Sequence, residues 1–530
     1  MQVFASLLDA LAFTPSRNAK LRLIGDYLRT TPDPARGYAL AALTGALSFS
    51  GAKSAVIRGL VAERVDPDLF AMSHDYVGDL AETVALIWPE RPRNAPPPTI
   101  DAVVDELSAA SRAEVPRLLE VWLDVLDADG RWALLKLATG GLRVGVSARL
   151  AKVALADAFD KEAAEIEEIW HGLEPPYPTL FDWLEGKGPM PDPGAGAGFR
   201  PVMLANPLDE AAIDKLDPST YRAEWKWDGV RVQAVSRNGE QRLYTRTGDD
   251  ISGSFPDVVA GFDFNGVIDG ELLVRGEGKP GIDGLVPVAA FSALQKRLGR
   301  KRPSVKLQQS SPGMIRAYDM LFDGDEDVRG GTFDERRARL KAWGTTAPDV
   351  FDISPLVPFA SWAELIEIRA GARADGIEGL MLKLGAAPYT AGRPQGPWFK
   401  WKRAPLTLDL VVMYAQRGHG RRSSYFSDYT FGAWTGDDTL VPVGKAYSGF
   451  TDKELAALDK WVRANTTDRF GPVRQVAPGL VFEVAFDAAQ RSTRHKSGVA
   501  LRFPRIKRIR WDKPIEEADR LETVLALADG

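Results

Sequence analysis

The chain has 530 residues, 45% hydrophobic and 26% charged, with a net charge of −5; that length suggests about three globular domains, and no run of about eighteen apolar residues offers a membrane span. The absence of cysteine excludes disulfides and thiolate metal sites and fits a cytoplasmic protein. The four histidines, His74, His171, His419 and His495, lack zinc-ligand spacing, and Met1-Gln2-Val3-Phe4-Ala5 lacks the basic stretch of a secretory leader.

The acidic average hides two basic stretches. Gln490 to Lys513 carries nine Lys/Arg against one acid, and Arg131 to Val153 carries five against none. Such local stripes, not the total charge, decide phosphate affinity.

In chain order, residues 1 to about 185 read as helical. Leu21, Leu23, Ile24, Tyr27 and Leu28 fall at helical spacing, as do Leu80, Val84, Ile87 and Trp88, with Pro89 as a stop. Residues 91–99 read as a linker, and Asp101 to Leu126 as a helix pair. Thr139 to Arg149 combines glycines that permit close approach with Ser147 as N-cap of a following helix, whose free N–H groups suit phosphate. An ordinary helix-turn-helix with a glycine stop fits the same residues. Gly186 to Gly198 is a Gly/Pro/Ala linker. The expected boundaries are therefore 1–190 (helical), 191–199 (linker), 200–403 (mixed strands and helices) and 404–530 (short strands and one helix).

Tyr221 to Lys226 reads as a strand ended by an Asp228-Gly229 turn, and Val230, Val232 and Ala234 alternate up to a hairpin turn at Asn238-Gly239. Lys226 thus sits where a strand meets a turn. Lys-x-Asp-Gly alone fits a surface lysine as well as a nucleophile. Its company is less ordinary: Asp269 and Glu271 interrupt an apolar strand, Glu378 precedes Leu380 to Lys383, and Lys400 and Lys402 share one face of Trp398 to Arg403. Buried strands rarely carry such charges without cause, so these intrusions predict a polar site inside a pair of sheets. Gly51-Ala-Lys53-Ser54 and Val443-Gly444-Lys445-Ala446 lack the full phosphate-loop pattern and read as turns. In the last segment, strands at Leu408 to Met413, Phe431 to Trp434, Leu440 to Gly444, Leu480 to Phe486 and Ala500 to Arg510, with a helix at Asp452 to Asn465, suggest a small closed barrel of the OB type.

Lys226-Trp-Asp228-Gly229, Thr245-Arg246-Thr247-Gly248, Asp269-Gly270-Glu271, Tyr318-Asp319, Glu378 to Lys383, Lys400-Trp-Lys402 and Arg502 to Lys513 occur in the order of the motifs of covalent nucleotidyltransferases. The chain resembles the ATP-dependent DNA ligases of bacteria and archaea over nearly its whole length. The resemblance implies an all-α N-terminal DNA-binding domain, an α+β adenylation (nucleotidyltransferase) domain and an OB-fold C-terminal domain. It implies Lys226 as the adenylated nucleophile, Glu224 on the adenine, Arg231 and Glu271 on the ribose, Arg246 on the 5′-phosphate of a nick, and Tyr318 in place of the usual phenylalanine stacked on the base. Arg393 would contact the nucleotide, Lys400 and Lys402 its α-phosphate, Glu378 and Glu271 would hold Mg²⁺ or another divalent cation, and Arg502, Arg505 and Lys513 would form motif VI. Arg143, Ser147 and Arg149 would contact DNA. ATP and nicked duplex DNA are the implied partners, without a membrane, and the protein would act as a cytoplasmic monomer. An RNA ligase, a capping-type guanylyltransferase and a catalytically inactive DNA-binding protein share parts of this pattern. An NAD-dependent ligase fits less well, because that family's zinc module needs cysteines.

Overall fold

Apolar spacing at 3.6 residues gives way to alternation after residue 200, and the computed structural model follows that change. It describes residues 1–90, 95–191, 197–278, 284–300, 302–371, 376–417, 425–493 and 495–529. Residues 91–94 and 192–196 of the two expected linkers, with Asp375, His419 and Arg494, lie outside the described residues. The chain divides into two compact units: 1–51, 97–115 and 133–403 form one, and 52–96, 116–132 and 404–530 form the other.

The N-terminal helices start and stop where their caps dictate. Ser16 accepts from the Ala19 N–H and opens Arg17–Thr30, which buries Ile24, Tyr27 and Leu28. Asp79 caps Leu80–Ile87, which ends at Trp88 before Pro89. Ser147 accepts from the Leu150 N–H and opens Ala148–Ala158. The loop before it turns through Gly140 and Gly145, both at positive φ, and the buried Lys20 donates to the carbonyls of Val144 (2.7 Å) and Gly145 (3.0 Å).

The mixed region folds as two sheets, from strands β1 (Asn206–Pro207), β2 (Tyr221–Trp227), β3 (Val230–Arg237), β4 (Glu240–Thr245), β5 (Gly266–Val274), β6 (Gly313–Asp323), β7 (Glu326–Asp327), β8 (Phe351–Ile353), β9 (Leu356–Val357), β10 (Ile377–Leu384) and β11 (Trp398–Lys402). Among the described residues one sheet has the order β1-β11-β10-β2-β9, and the other β4-β3-β5-β6-β7 with β8 also on β6. The Asp228-Gly229 turn therefore carries the chain from one sheet into the other. Asn238 and Gly239, both at positive φ, close the β3–β4 hairpin as their sequence predicts. Tyr221, Ala223, Trp225 and Trp227 of β2 bury with Leu380, Leu382 and Trp401 in one apolar cluster. Alternation then leaves Glu224 and Lys226 for the opposite face.

Residues 404–530 contribute β12 (Leu406–Arg417), β13 (Phe426–Trp434), β14 (Leu440–Ala446), β15 (Thr466–Phe470), β16 (Val473–Val476), β17 (Val481–Phe486), β18 (Ala488–Arg491), β19 (Val499–Arg502) and β20 (Arg505–Arg510). The helix Asp452–Asn465 is fixed by a capping box between Thr451 and Glu454. The expected closed barrel is not met by these strands. The first half of β12 pairs with β17 and its end with β16, while β13 covers the other edge. The edge strands β14, β15 and β20 are not paired with one another among the described residues, so the sheet is open. The single strand expected from Ala500 to Arg510 is two strands. Phe503 stands at φ +50 and Pro504 offers no N–H to a ladder.

Candidate active site

Three neighbouring strands build the floor of a cleft. Lys226 of β2 faces Gly379 of β10, which faces Lys402 of β11; one step along, Glu224, Met381 and Lys400 are likewise in register. The expected shared face thus holds, with one departure. Strict alternation would turn Glu378 away, but a bulge between Ile377 and Gly379 inserts it as an extra residue opposite Lys226. Gly379 allows this: it has φ +146, and a Cβ there would lie 2.3 Å from the Trp401 carbonyl. The re-aimed Glu378 accepts from Lys226 Nζ at 2.6 Å and lies 3.3 Å from Lys402 Nζ. Burial alone would raise the Glu378 carboxyl, but Lys226 and then Lys402 outweigh it and hold it below its ordinary value.

The second sheet supplies the facing wall. Gly229 packs so closely on β5 that a Cβ would sit 2.5 Å from the Leu272 carbonyl and 2.7 Å from Glu271 Cγ. Glu271 faces Arg231 across the β3–β5 ladder. Burial is the main cause that pushes the Glu271 carboxyl up to about 8, against the pull of Lys226 and Arg231. Arg231 is committed to a neighbour that the sequence reading left without a role. Its guanidinium donates to both oxygens of the fully buried Asp269 (3.0 and 2.6 Å) and to the Met203 carbonyl (2.6 Å). Tyr389 Oη accepts from Arg231 at 3.0 Å and donates to Asp269 at 2.8 Å. Burial alone would lower Arg231; Asp269 holds it well above its ordinary value. Asp269 could have been found, since an acid two residues before Glu271 on a buried strand requires a cation. Tyr389, in a loop, carried no such signal.

The cleft encloses about 380 Å³ and is lined by Glu224, Lys226, Arg231, Arg246, Glu271, Tyr318, Lys383, Arg393 and Lys400, among others, a size within the ordinary range for small-molecule sites. Its cations feel one another. Lys400 is shifted down by burial, then by Arg393, Lys226 and Arg246, and Arg246 is shifted down by burial, then by Arg231 and Arg393. Such convergence suits a polyanion. For a divalent cation, Glu271 and Glu378 are hard oxygen donors on facing walls, and no group of three or more His, Asp or Glu placed to hold a metal ion occurs among the described residues. Two carboxylates completed by water and phosphate oxygens is the usual Mg²⁺ pattern, so the residues fit that ion.

The remaining candidates lie elsewhere. Arg143 and Ser147 are exposed. Arg149 pairs with Glu167 at 3.3 Å, and its guanidinium lies 2.6 Å from where a Gly392 Cβ would stand. In the other compact unit, Arg505 pairs with Asp487 (2.9 Å), Lys513 with Asp409 (2.7 Å), and Arg502 lies over the Phe503 ring.

His171 lacks zinc-ligand spacing in the sequence, and the structure shows what it does instead. It packs on Phe199 and Tyr244, and against Gly248 of the Thr245 to Gly248 turn. Burial, then Lys152, lowers it to about 4, with Asp249 opposing and Arg200 assisting. The folded chain therefore binds fewer protons than the unfolded chain between about pH 6.5 and 4, and stability falls as pH drops through that window. His171→Phe should flatten that acid slope in urea titrations, recovering up to about 3 kcal/mol at the low-pH limit; an unchanged slope would show that His171 does not report it.

A cleft of this charge on a two-sheet domain fits the class of nucleotide-binding, phosphoryl-transferring proteins. The family model described as ATP dependent DNA ligase domain matches residues 202–402, and that described as ATP dependent DNA ligase C terminal region matches 422–513. A probable DNA ligase of Koribacter versatilis is 33% identical over 98% of this chain and 95% of its own length. DNA ligase 1 of Korarchaeum cryptofilum is 31% identical over 99% and 97%. The solved structure described as Pmar-Lig_PreS3 covers 96% of this chain and 99% of its own at 16% identity, with a TM-score of 0.59, a likeness of fold. The chain belongs to the ATP-dependent DNA ligase family. No helix among the described residues is long and apolar enough to cross a membrane.

Proposed function

We propose that this chain seals nicks in duplex DNA through an adenylate carried on Lys226. The observation that carries the reading is Lys226 Nζ, 2.6 Å from Glu378, in a cleft that Arg246, Arg393 and Lys400 also line. Lys226 attacks the α-phosphate of ATP and forms a phosphoramidate as pyrophosphate leaves. AMP then passes to the 5′-phosphate at a nick, and the 3′-hydroxyl attacks that phosphate, joins the strand and releases AMP. Each step spreads negative charge over phosphate oxygens, so positioned cations account for most of the catalysis. Lys400 and Lys402 approach the α-phosphate from one strand face, Arg246 receives the nick phosphate, and Arg393 contacts the nucleotide. Arg231 and Glu271 hold the ribose, with Tyr318 against the base. Glu378 accepts the Lys226 proton bond seen here and, with Glu271, would hold a divalent cation, whose chemistry is to neutralise phosphate charge.

The same reading takes residues 404–530 as an OB-type module that presents Arg502, Arg505 and Lys513 to the pyrophosphate in the first step. It takes residues 1–190 as a duplex clamp, and the protein as a cytoplasmic monomer. A labelled nicked duplex tests the whole: sealing that requires ATP supports it, and no sealing with ATP and Mg²⁺ contradicts it. The clamp has its own test. Contacts to backbone phosphate release counterions, so Arg143→Ala should weaken nick binding at every sequence and lower the slope of log affinity against log salt by about one. An unchanged slope would remove Arg143 from the DNA contacts. Arg149, already paired with Glu167, should change it less.

A further inference from the structure

At the cleft wall Glu224 belongs to a buried charge cluster whose two cations, Lys383 and Arg337, the reaction above leaves without a role. Glu224 is 2% exposed and Lys383 1%. Lys383 Nζ lies 2.6 Å from one Glu224 oxygen, while the Arg337 guanidinium donates to the other at 3.0 Å. Lys383 is further enclosed by the rings of Trp398 (4.6 Å), Tyr318 (4.7 Å) and Phe333 (4.8 Å), a cation–π cage, and reaches the Tyr318 carbonyl at 3.4 Å. Arg337 is anchored in turn on the Ser354 carbonyl. A buried carboxylate with a separate cation on each oxygen cannot rotate and can only accept hydrogen bonds. Glu224, Lys383 and Tyr318 all line the cleft, and Glu224 stands two residues before Lys226 on the same strand face.

We infer that Lys383 and Arg337 are positioning residues that clamp Glu224 as a fixed acceptor and thereby select adenine over guanine. Adenine carries an amino donor at position 6 where guanine carries a carbonyl acceptor. A clamped carboxylate rewards the donor and repels the acceptor. If Glu224 were free to turn or to be replaced by water, the penalty against guanine would shrink. Sites that hydrogen-bond one group reject the analogue lacking it far more strongly than apolar pockets do. The inference rests on the reading that Lys226 is adenylated with Tyr318 and Glu224 at the base.

The test is a competition. The full-length protein is incubated with Mg²⁺ and equal concentrations of α-labelled ATP and α-labelled GTP, and the ratio of the two labels on the protein is measured. Because both labels come from the same folded molecules, a lower folded fraction does not alter the ratio. Lys383→Gln should lower the ATP to GTP ratio about tenfold or more, and Glu224→Gln, whose amide can donate to a carbonyl, should lower it further. Lys383→Arg, which keeps the cation, should retain most of the preference. If Lys383→Gln takes up neither label, Arg337→Gln, which frees the other oxygen, decides by the same ratio. A wild-type ratio in Lys383→Gln or in that replacement overturns the clamp while leaving the reaction intact. A wild-type protein that takes up neither label overturns the adenylation reading, and the clamp with it.

Discussion

Lys226→Ala should abolish both labelling of the protein by ATP and sealing of a nick, because it removes the amine that lies 2.6 Å from Glu378 in the cleft. Lys226→Arg should fail as completely: a guanidinium keeps its proton at any working pH and cannot attack phosphorus. Sealing of a duplex whose 5′ end already carries AMP should survive better in Lys226→Ala, since the lysine is spent before that step. The loss in the first two assays should exceed about a thousandfold, the scale on which removal of a nucleophile acts. Persistent protein labelling in either variant would assign the adenylate to another residue.

The second large effect concerns a residue outside the reacting group. Asp269 is fully buried and receives two hydrogen bonds from Arg231 and one from Tyr389. Asp269→Asn removes the negative charge and leaves the Arg231 guanidinium without a counter-ion deep in the cleft wall. Breaking one side of a buried ion pair costs about 3–5 kcal/mol. The urea midpoint should fall accordingly, and ATP labelling should drop even where the protein is folded, because Arg231 is no longer aimed. Tyr389→Phe removes one hydrogen bond from the same group and should cost about 1 kcal/mol. Equal losses in the two variants would show that the ion pair is not the source of the stabilisation.

Much of the site was readable because strand alternation is local. Lys226 and Glu224 share a face by spacing alone, and so do Lys400 and Lys402. Glu378 was readable as a polar intrusion but not in its direction: its approach to Lys226 depends on a bulge, and Gly379 marks that bulge only once the neighbouring Trp401 carbonyl is known. Clamping groups come from distant segments, Arg337 from a helix and Tyr389 from a loop, and no periodicity links either to Glu224 or Asp269. In residues 404–530 the strands follow from alternation, but barrel closure is a property of edges. Whether β14 meets β20 is set by the curvature of the long β12 and its partners, not by any one strand's sequence. The break at Phe503-Pro504 was legible, since proline removes a ladder donor; it was the surrounding alternation that favoured a single strand.

The proposed reaction turns on AMP being carried by the Lys226 side chain. The most direct measurement is peptide mapping by mass spectrometry after incubating the full-length protein with ATP and Mg²⁺, without DNA, followed by addition of a nicked duplex. A mass gain of one AMP is expected, confined to the peptide containing Lys226 and lost when nicked DNA is added. A protein that seals nicks while this peptide stays unmodified, or that carries AMP on a different side chain, would contradict it.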